Sequence, residues 1–181
     1  MPDKGYGSAA ALVFLALISL GVGALICKVV HESGHALTAL ALGGKVESVR
    51  VSWPRRPGFF RIQYSLSGRD WQKGLTDLMG TGATTVFAYA LLLLVLQCRP
   101  ALWLRWVAVP VAGVCAWDMF LYATLPALGW RRFLVFGGRH AEPVHGADLM
   151  GVPPWLFLCG LTLSFLAFHG LSYWVLRRVG N

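Results

Sequence analysis

The chain has 181 residues, enough for one domain. Hydrophobic residues make up 56% and charged residues 13%, against roughly 25% charged in a soluble globular chain, which argues against a soluble domain and for an integral membrane protein. The net charge of +8 does not imply nucleic acid: the basic residues cluster between apolar runs, as topology signals do, and no recognition helix or stacking ribbon accompanies them.

The opening Met-Pro-Asp-Lys precedes a long apolar run from about Ser8 to Leu42. The run could serve as a signal peptide, but no clean small-residue cleavage site ends it, and removal would separate the span from its motif. The run is long for a span of about 20 residues, so the helix must tilt, bend near Gly21 or Gly23, or extend beyond the hydrocarbon. Gly43-Gly44 supplies its stop. Within the run the apolar pattern breaks only at Lys28 and at His31-Glu32-Ser33-Gly34-His35. Histidines four apart lie one above the other on a helix, so both imidazoles can bind one zinc ion. The glutamate beside the first histidine is placed to polarise a zinc-bound water as general base. On a soluble helix such a pattern is often a salt-bridged surface. In a membrane span, ionisable groups are costly and mark functional sites. Lys28, one turn before His31, reads as a snorkelling cation near a wet cavity.

From Lys45 to Asp77 comes a connection in which Phe60, Ile62, Tyr64 and Leu66 alternate with period two, as in a strand. Val46, Val49 and Val51 precede them, and Pro54 to Gly58 suits the turn of a β-hairpin over about residues 45–66. A second span is expected over about 79–97, a third over 101–128 with Pro110 as a kink, and a fourth over 153–176. Tryptophans 103, 106, 130, 155 and 174 fall near the proposed ends, as interfacial belts do. The connection from Trp130 to Val152 is rich in Gly, Arg and His. The expected fold is an all-α polytopic membrane protein of about four transmembrane helices with a short hairpin at the cytoplasmic membrane surface. The two long connections carry Lys/Arg at 45, 50, 55, 56, 61, 69, 73, 131, 132 and 139, about twice what the other side carries. The positive-inside rule places them in the cytoplasm. A basic loop can also serve as a lipid surface. Cys27, Cys98, Cys115 and Cys159 show no paired spacing, so neither a disulfide framework nor a cysteine metal site is expected.

A catalytic zinc site usually takes three protein ligands and leaves one position for water. The candidates for the third are Asp118, Asp148, His140, His145 and His169. His31 lies roughly 35 Å along a helix begun at Ser8, and Asp118 roughly 25 Å along one begun at Ala101, so with tilt the two sit at comparable depth. Asp118 is also a lone carboxylate among Cys115, Ala116, Trp117, Met119 and Phe120, where an unpaired charge is costly and zinc would satisfy it. It is the first choice and Asp148 the second. His169 falls too deep in the fourth span, and His140 and His145 read as ordinary loop histidines.

The chain resembles the site-2 protease family of intramembrane zinc metalloproteases. The resemblance covers most of residues 20–130. It rests on His-Glu-Ser-Gly-His followed by Ala36-Leu37, on Ala39, Gly43 and Gly44, on the hairpin, and on Leu78-Met79-Gly80-Thr81-Gly82-Ala83-Thr84-Thr85. That last stretch opens the next span with Thr84 where the family often has Asn. Trp117-Asp118-Met119 stands where the family has its third ligand, with Met119 in place of the usual glycine. The resemblance implies residues 1–181 as a single transmembrane metalloprotease-like domain of the compact branch, without a regulatory domain. It implies one zinc ion on His31, His35 and Asp118, and Glu32 as the catalytic base of an intramembrane endopeptidase. The partners implied are a membrane-protein substrate and the lipid bilayer. Gly80 and Gly82 would allow close backbone approach, either to substrate or between packed helices. Two other readings fit the same residues: a non-proteolytic zinc-binding membrane scaffold or chaperone, and a metal transporter. The transporter wants ionisable groups at successive depths, and few are available.

Overall fold

The computed structural model describes residues 6–51, 60–98, 102–130 and 141–179. The chain folds as α1 (Tyr6–Ala41), β1 (Lys45–Val51), β2 (Phe60–Ser65), α2 (Asp70–Cys98), α3 (Leu102–Thr124), a 3-10 turn (Pro126–Leu128), α4 (Glu142–Leu149) and α5 (Pro154–Val179). Four of these helices are long and apolar enough to cross a membrane: α1, α2, α3 and α5. They leave Phe14, Leu17, Val86, Leu163 and Leu166 largely exposed, an outer surface suited to lipid rather than water.

Helix α1 stops where the sequence says it should. Gly43 takes φ +85°, a left-handed conformation that an L side chain resists. The Gly44 N–H then reaches back to the Ala39 carbonyl at 2.8 Å, and the Leu42 N–H to Thr38, which closes the helix in a Schellman-type cap. Directly after this cap β1 and β2 pair antiparallel, with a one-residue irregularity between Val46 and Ser48. The expected turn at Pro54 to Gly58 lies outside the described residues. Cross-strand partners share a face. Val46 with Tyr64, Val49 with Ile62 and Val51 with Phe60 therefore make one apolar face. Ser48 with Gln63 and Arg50 with Arg61 make the polar one.

Helix α2 begins well before the expected residue 79. The Gln72 side chain accepts from the Arg69 N–H at 2.8 Å, half of a capping box, and Asp70 complements the dipole of the first turn. Those polar residues masked a helix start that hydropathy alone placed later. Helix α3 continues past Pro110 and ends at Thr124, short of the expected 128, where the chain turns through Pro126–Leu128. The segment expected as an irregular loop contains α4, a helix of eight residues.

The core lies between α1, α2 and α3, around Cys27, Ala88, Leu92, Val95, Ala112, Cys115 and Tyr122, with Phe168 and Val175 contributed by α5. The Tyr89 hydroxyl donates to the Ser164 carbonyl at 2.7 Å and ties α2 to α5. Helix α4 packs chiefly on α2. Gly74 and Gly146 make that contact possible: a Cβ on Gly74 would lie 2.6 Å from the Gly146 carbonyl oxygen, and one on Gly146 would lie 2.5 Å from that of Gly74.

Replacing Gly43 by Val forces a β-branched residue into the left-handed region, a strain of about 1–3 kcal/mol. Thermal unfolding in detergent should fall accordingly, with Gly43→Asn showing a smaller loss.

Candidate metal centre

The site forms where α1, α2, α3 and α4 meet beneath the hairpin. His31 and His35 lie on adjacent turns of α1, as their spacing requires, and both are buried. Each ring is fixed through Nδ1. That of His31 lies 2.7 Å from Asp118 Oδ2 on α3, and that of His35 lies 2.6 Å from the Thr76 carbonyl on α2. A carbonyl oxygen only accepts, and so does an ionised carboxylate. Both Nδ1 atoms are therefore assigned as donors, and both Nε2 atoms carry lone pairs. Those Nε2 atoms face each other at 3.1 Å. Glu142 Oε2 on α4 lies 3.5 Å from each. Among the described residues that buried oxygen has no hydrogen-bond partner.

Three acceptors thus converge on one point. A proton between the imidazoles would bridge them and still leave Glu142 unmatched. A tetrahedral zinc site with bonds of about 2.0–2.1 Å separates its ligand atoms by about 3.3 Å. The observed triangle of 3.1, 3.5 and 3.5 Å matches that spacing, so His31, His35 and Glu142 can hold a metal ion. A glutamate carboxyl is ordinarily ionised at neutral pH, which suits Glu142 to ligate a cation.

Asp118, expected as the third ligand, is not among the three groups that converge. Asp118 reaches the same histidine at the same depth, but on Nδ1, the ring nitrogen directed away from the triangle. It orients the imidazole and raises its basicity, as carboxylates behind metal-bound histidines do. Thr84 supports Asp118 in turn. Its hydroxyl lies 2.8 Å from Asp118 Oδ2 and 2.8 Å from the Thr81 carbonyl, and its single proton serves one of them at a time. Asp148 and His145 are exposed on α4 and take no part in the triangle. His169 is exposed on α5, with its Nδ1 on the Phe165 carbonyl, and His140 lies outside the described residues.

Glu142 was missed because it stands in a segment that reads as loop. The available signal was a Glu-Pro pair, where the proline suits a helix start, on the same side of the bundle as the motif. With two histidines one turn apart, a distant glutamate completes a His-His-Glu ligand set.

Aromatic rings wall the site. Tyr122 packs against His31 with centroids 4.7 Å apart, and Tyr64 of β2 stacks on His35 at 6.1 Å. Burial, with Asp77, Glu142 and Glu32 nearby, pushes the Tyr64 phenol up to about 12, so it stays protonated at neutral pH. Gly80 faces His35, and a Cβ there would overlap the imidazole. Its close approach is thus to a ligand ring. Glu32 lies outside the triangle. Its Oε1 pairs with Lys28 Nζ at 2.6 Å, and its Oε2 accepts from the Ile62 N–H at 3.1 Å.

Compared with known protein families, characterised proteins and solved structures, the chain matches none.

Metal titration distinguishes the carboxylates. Glu142→Ala should abolish tight binding, Asp118→Ala should weaken it by about 10–100-fold, and Asp148→Ala should leave it unchanged. Wild-type affinity in Glu142→Ala would remove Glu142 from the ligand set. Gly80→Ala should displace the His35 ring and weaken metal binding, checked in the same titration.

Proposed function

We propose that this chain is a membrane-embedded zinc endopeptidase of the site-2 protease type. The observation that carries the reading is the convergence of His31 Nε2, His35 Nε2 and Glu142 Oε2 on α-helices of a membrane-spanning bundle, with Glu32 next to the first histidine. Two nitrogens and one carboxylate oxygen at tetrahedral spacing suit zinc and leave a fourth position open. Bound there, zinc would polarise a scissile carbonyl and make water a better nucleophile at neutral pH.

The protein's own groups supply the rest. Glu32 takes a proton from the attacking water and delivers it to the leaving amine. His31 and His35 keep their ring orientation through Asp118 and Thr76. Water reaches the site past Glu142, which is about one-third exposed. A helical substrate hides its peptide bonds, so the segment to be cut must unwind. Strand β2 offers a place to hold it extended by edge pairing. The lysine and arginine bias of the two long connections puts this end of the bundle at the cytoplasmic side of a multi-pass protein.

One observation favours the non-proteolytic scaffold as the second reading: both oxygens of Glu32 are engaged, by Lys28 and Ile62. The transporter reading has less support, because the ionised groups described here gather at one depth.

Purified wild-type protein should cleave reconstituted single-span membrane segments. Glu32→Gln should retain its metal and lose cleavage by at least about 100-fold, the low end of what a general base supplies. Cleavage that survives Glu32→Gln would remove Glu32 as the base, and metal binding without cleavage in the wild type would leave the scaffold.

A further inference from the structure

The contact between Glu32 and Ile62 ties the proposed base to the edge of a strand. In an antiparallel pair, residues directly opposite each other either exchange both backbone hydrogen bonds or point both groups outward. Ile62 is opposite Val49, yet its N–H goes to Glu32 Oε2. The Ile62 amide and carbonyl therefore point away from β1. By the period-two alternation of a strand, Phe60 and Tyr64 share that outward edge. Tyr64 also stacks on the ligand His35. Among the described residues this edge of β2 has no strand partner; it runs beside the candidate metal centre, and the carboxylate expected to act as base caps its central amide.

We propose that an extended peptide segment and Glu32 compete for the Ile62 N–H, so that only a substrate able to pair with β2 as a strand releases the base. This rests on the peptidase reading and deepens it, by making strand pairing at β2 the event that frees Glu32. A bound segment gives a backbone carbonyl to the Ile62 N–H and its own N–H to the Ile62 carbonyl. Glu32 Oε2 then loses its donor and is free to accept from water, while Lys28 keeps hold of Oε1 and limits how far the side chain moves. A folded helix has no carbonyl to offer, because its own ladder uses them. It would leave Glu32 capped and the peptide bond intact. The Ile62 main chain is therefore a positioning group that couples substrate conformation to the base.

Two silent variants separate the parts. Glu32→Gln keeps an acceptor oxygen for the Ile62 N–H, whereas Glu32→Ala has none, and neither can act as base, so a bound peptide survives in both. The probe is a fluorescein-labelled octapeptide of alternating Val and Thr, read by anisotropy on zinc-loaded protein in detergent. Glu32→Ala should bind it about 5–10-fold more tightly than Glu32→Gln, the worth of one net hydrogen bond. Adding Ile62→Pro removes the N–H without touching the β1 ladder and should erase the difference. Adding Ile62→Ala keeps the N–H and should preserve it. Equal affinity of the two Glu32 variants, or a difference that survives Ile62→Pro or is lost in Ile62→Ala, would overturn the proposal. This binding contrast needs no hydrolysis, so its failure is distinct from failure of the peptidase reading.

Discussion

Two hydrogen bonds made on the far side of the imidazoles govern this molecule. By donating Nδ1–H to Asp118 and to the Thr76 carbonyl, His31 and His35 are left with facing lone pairs. Lone pairs 3.1 Å apart repel, and the chain places a third acceptor, Glu142, against them. Such a cluster suits a cation at its centre, and the polar contacts of four helices are arranged about that point. The helix packing follows from this. Helix α3 supplies the carboxylate behind His31, α2 supplies the carbonyl behind His35, and α4 supplies the third apex.

The fold was largely legible because each of its main signals has one physical cause. Four apolar runs need a bilayer, Gly43-Gly44 can end a helix in a left-handed residue, and the alternation of Phe60, Ile62 and Tyr64 fits a strand. The start of α2 was not legible from hydropathy, since its first turns are polar and are set by Gln72 and Asp70. In the site, the spacing of His31 and His35 was enough to place two imidazoles on one face. The depth estimate was enough to bring Asp118 to His31. Depth cannot tell Nδ1 from Nε2, however, and that difference separates a metal ligand from the residue that orients one. Glu142 was hidden because α4 is too short for a periodic pattern, and because its position depends on a backbone contact between two glycines distant in sequence.

That glycine contact bears on how much of the site survives alone. Asp118 and Thr76 sit on membrane-spanning helices held by a continuous core, so the two histidines keep their orientation whatever α4 does. Glu142 sits on eight residues whose main support is the Gly74–Gly146 approach. The ligand set therefore has two rigid members and one whose placement is a separate packing problem. Small movements of α4 would change the affinity for a metal ion at the triangle without disturbing the spans.

The charge of the described groups suits a cation at the triangle. Taking the imidazoles as neutral, the charged groups among the described residues that touch the histidines or Glu32 are Asp118, Glu142, Glu32 itself and Lys28. Three carboxylates and one ammonium leave a net charge of −2 in a place mostly removed from water, where uncompensated charge costs several kcal/mol per ion. A divalent ion at the triangle brings the sum to zero. Lys28 offsets the charge of Glu32, and a cation at the triangle would offset Glu142 and Asp118. Removing Lys28 alone would leave Glu32 as the unbalanced anion, held only by the Ile62 amide that a substrate strand would take away.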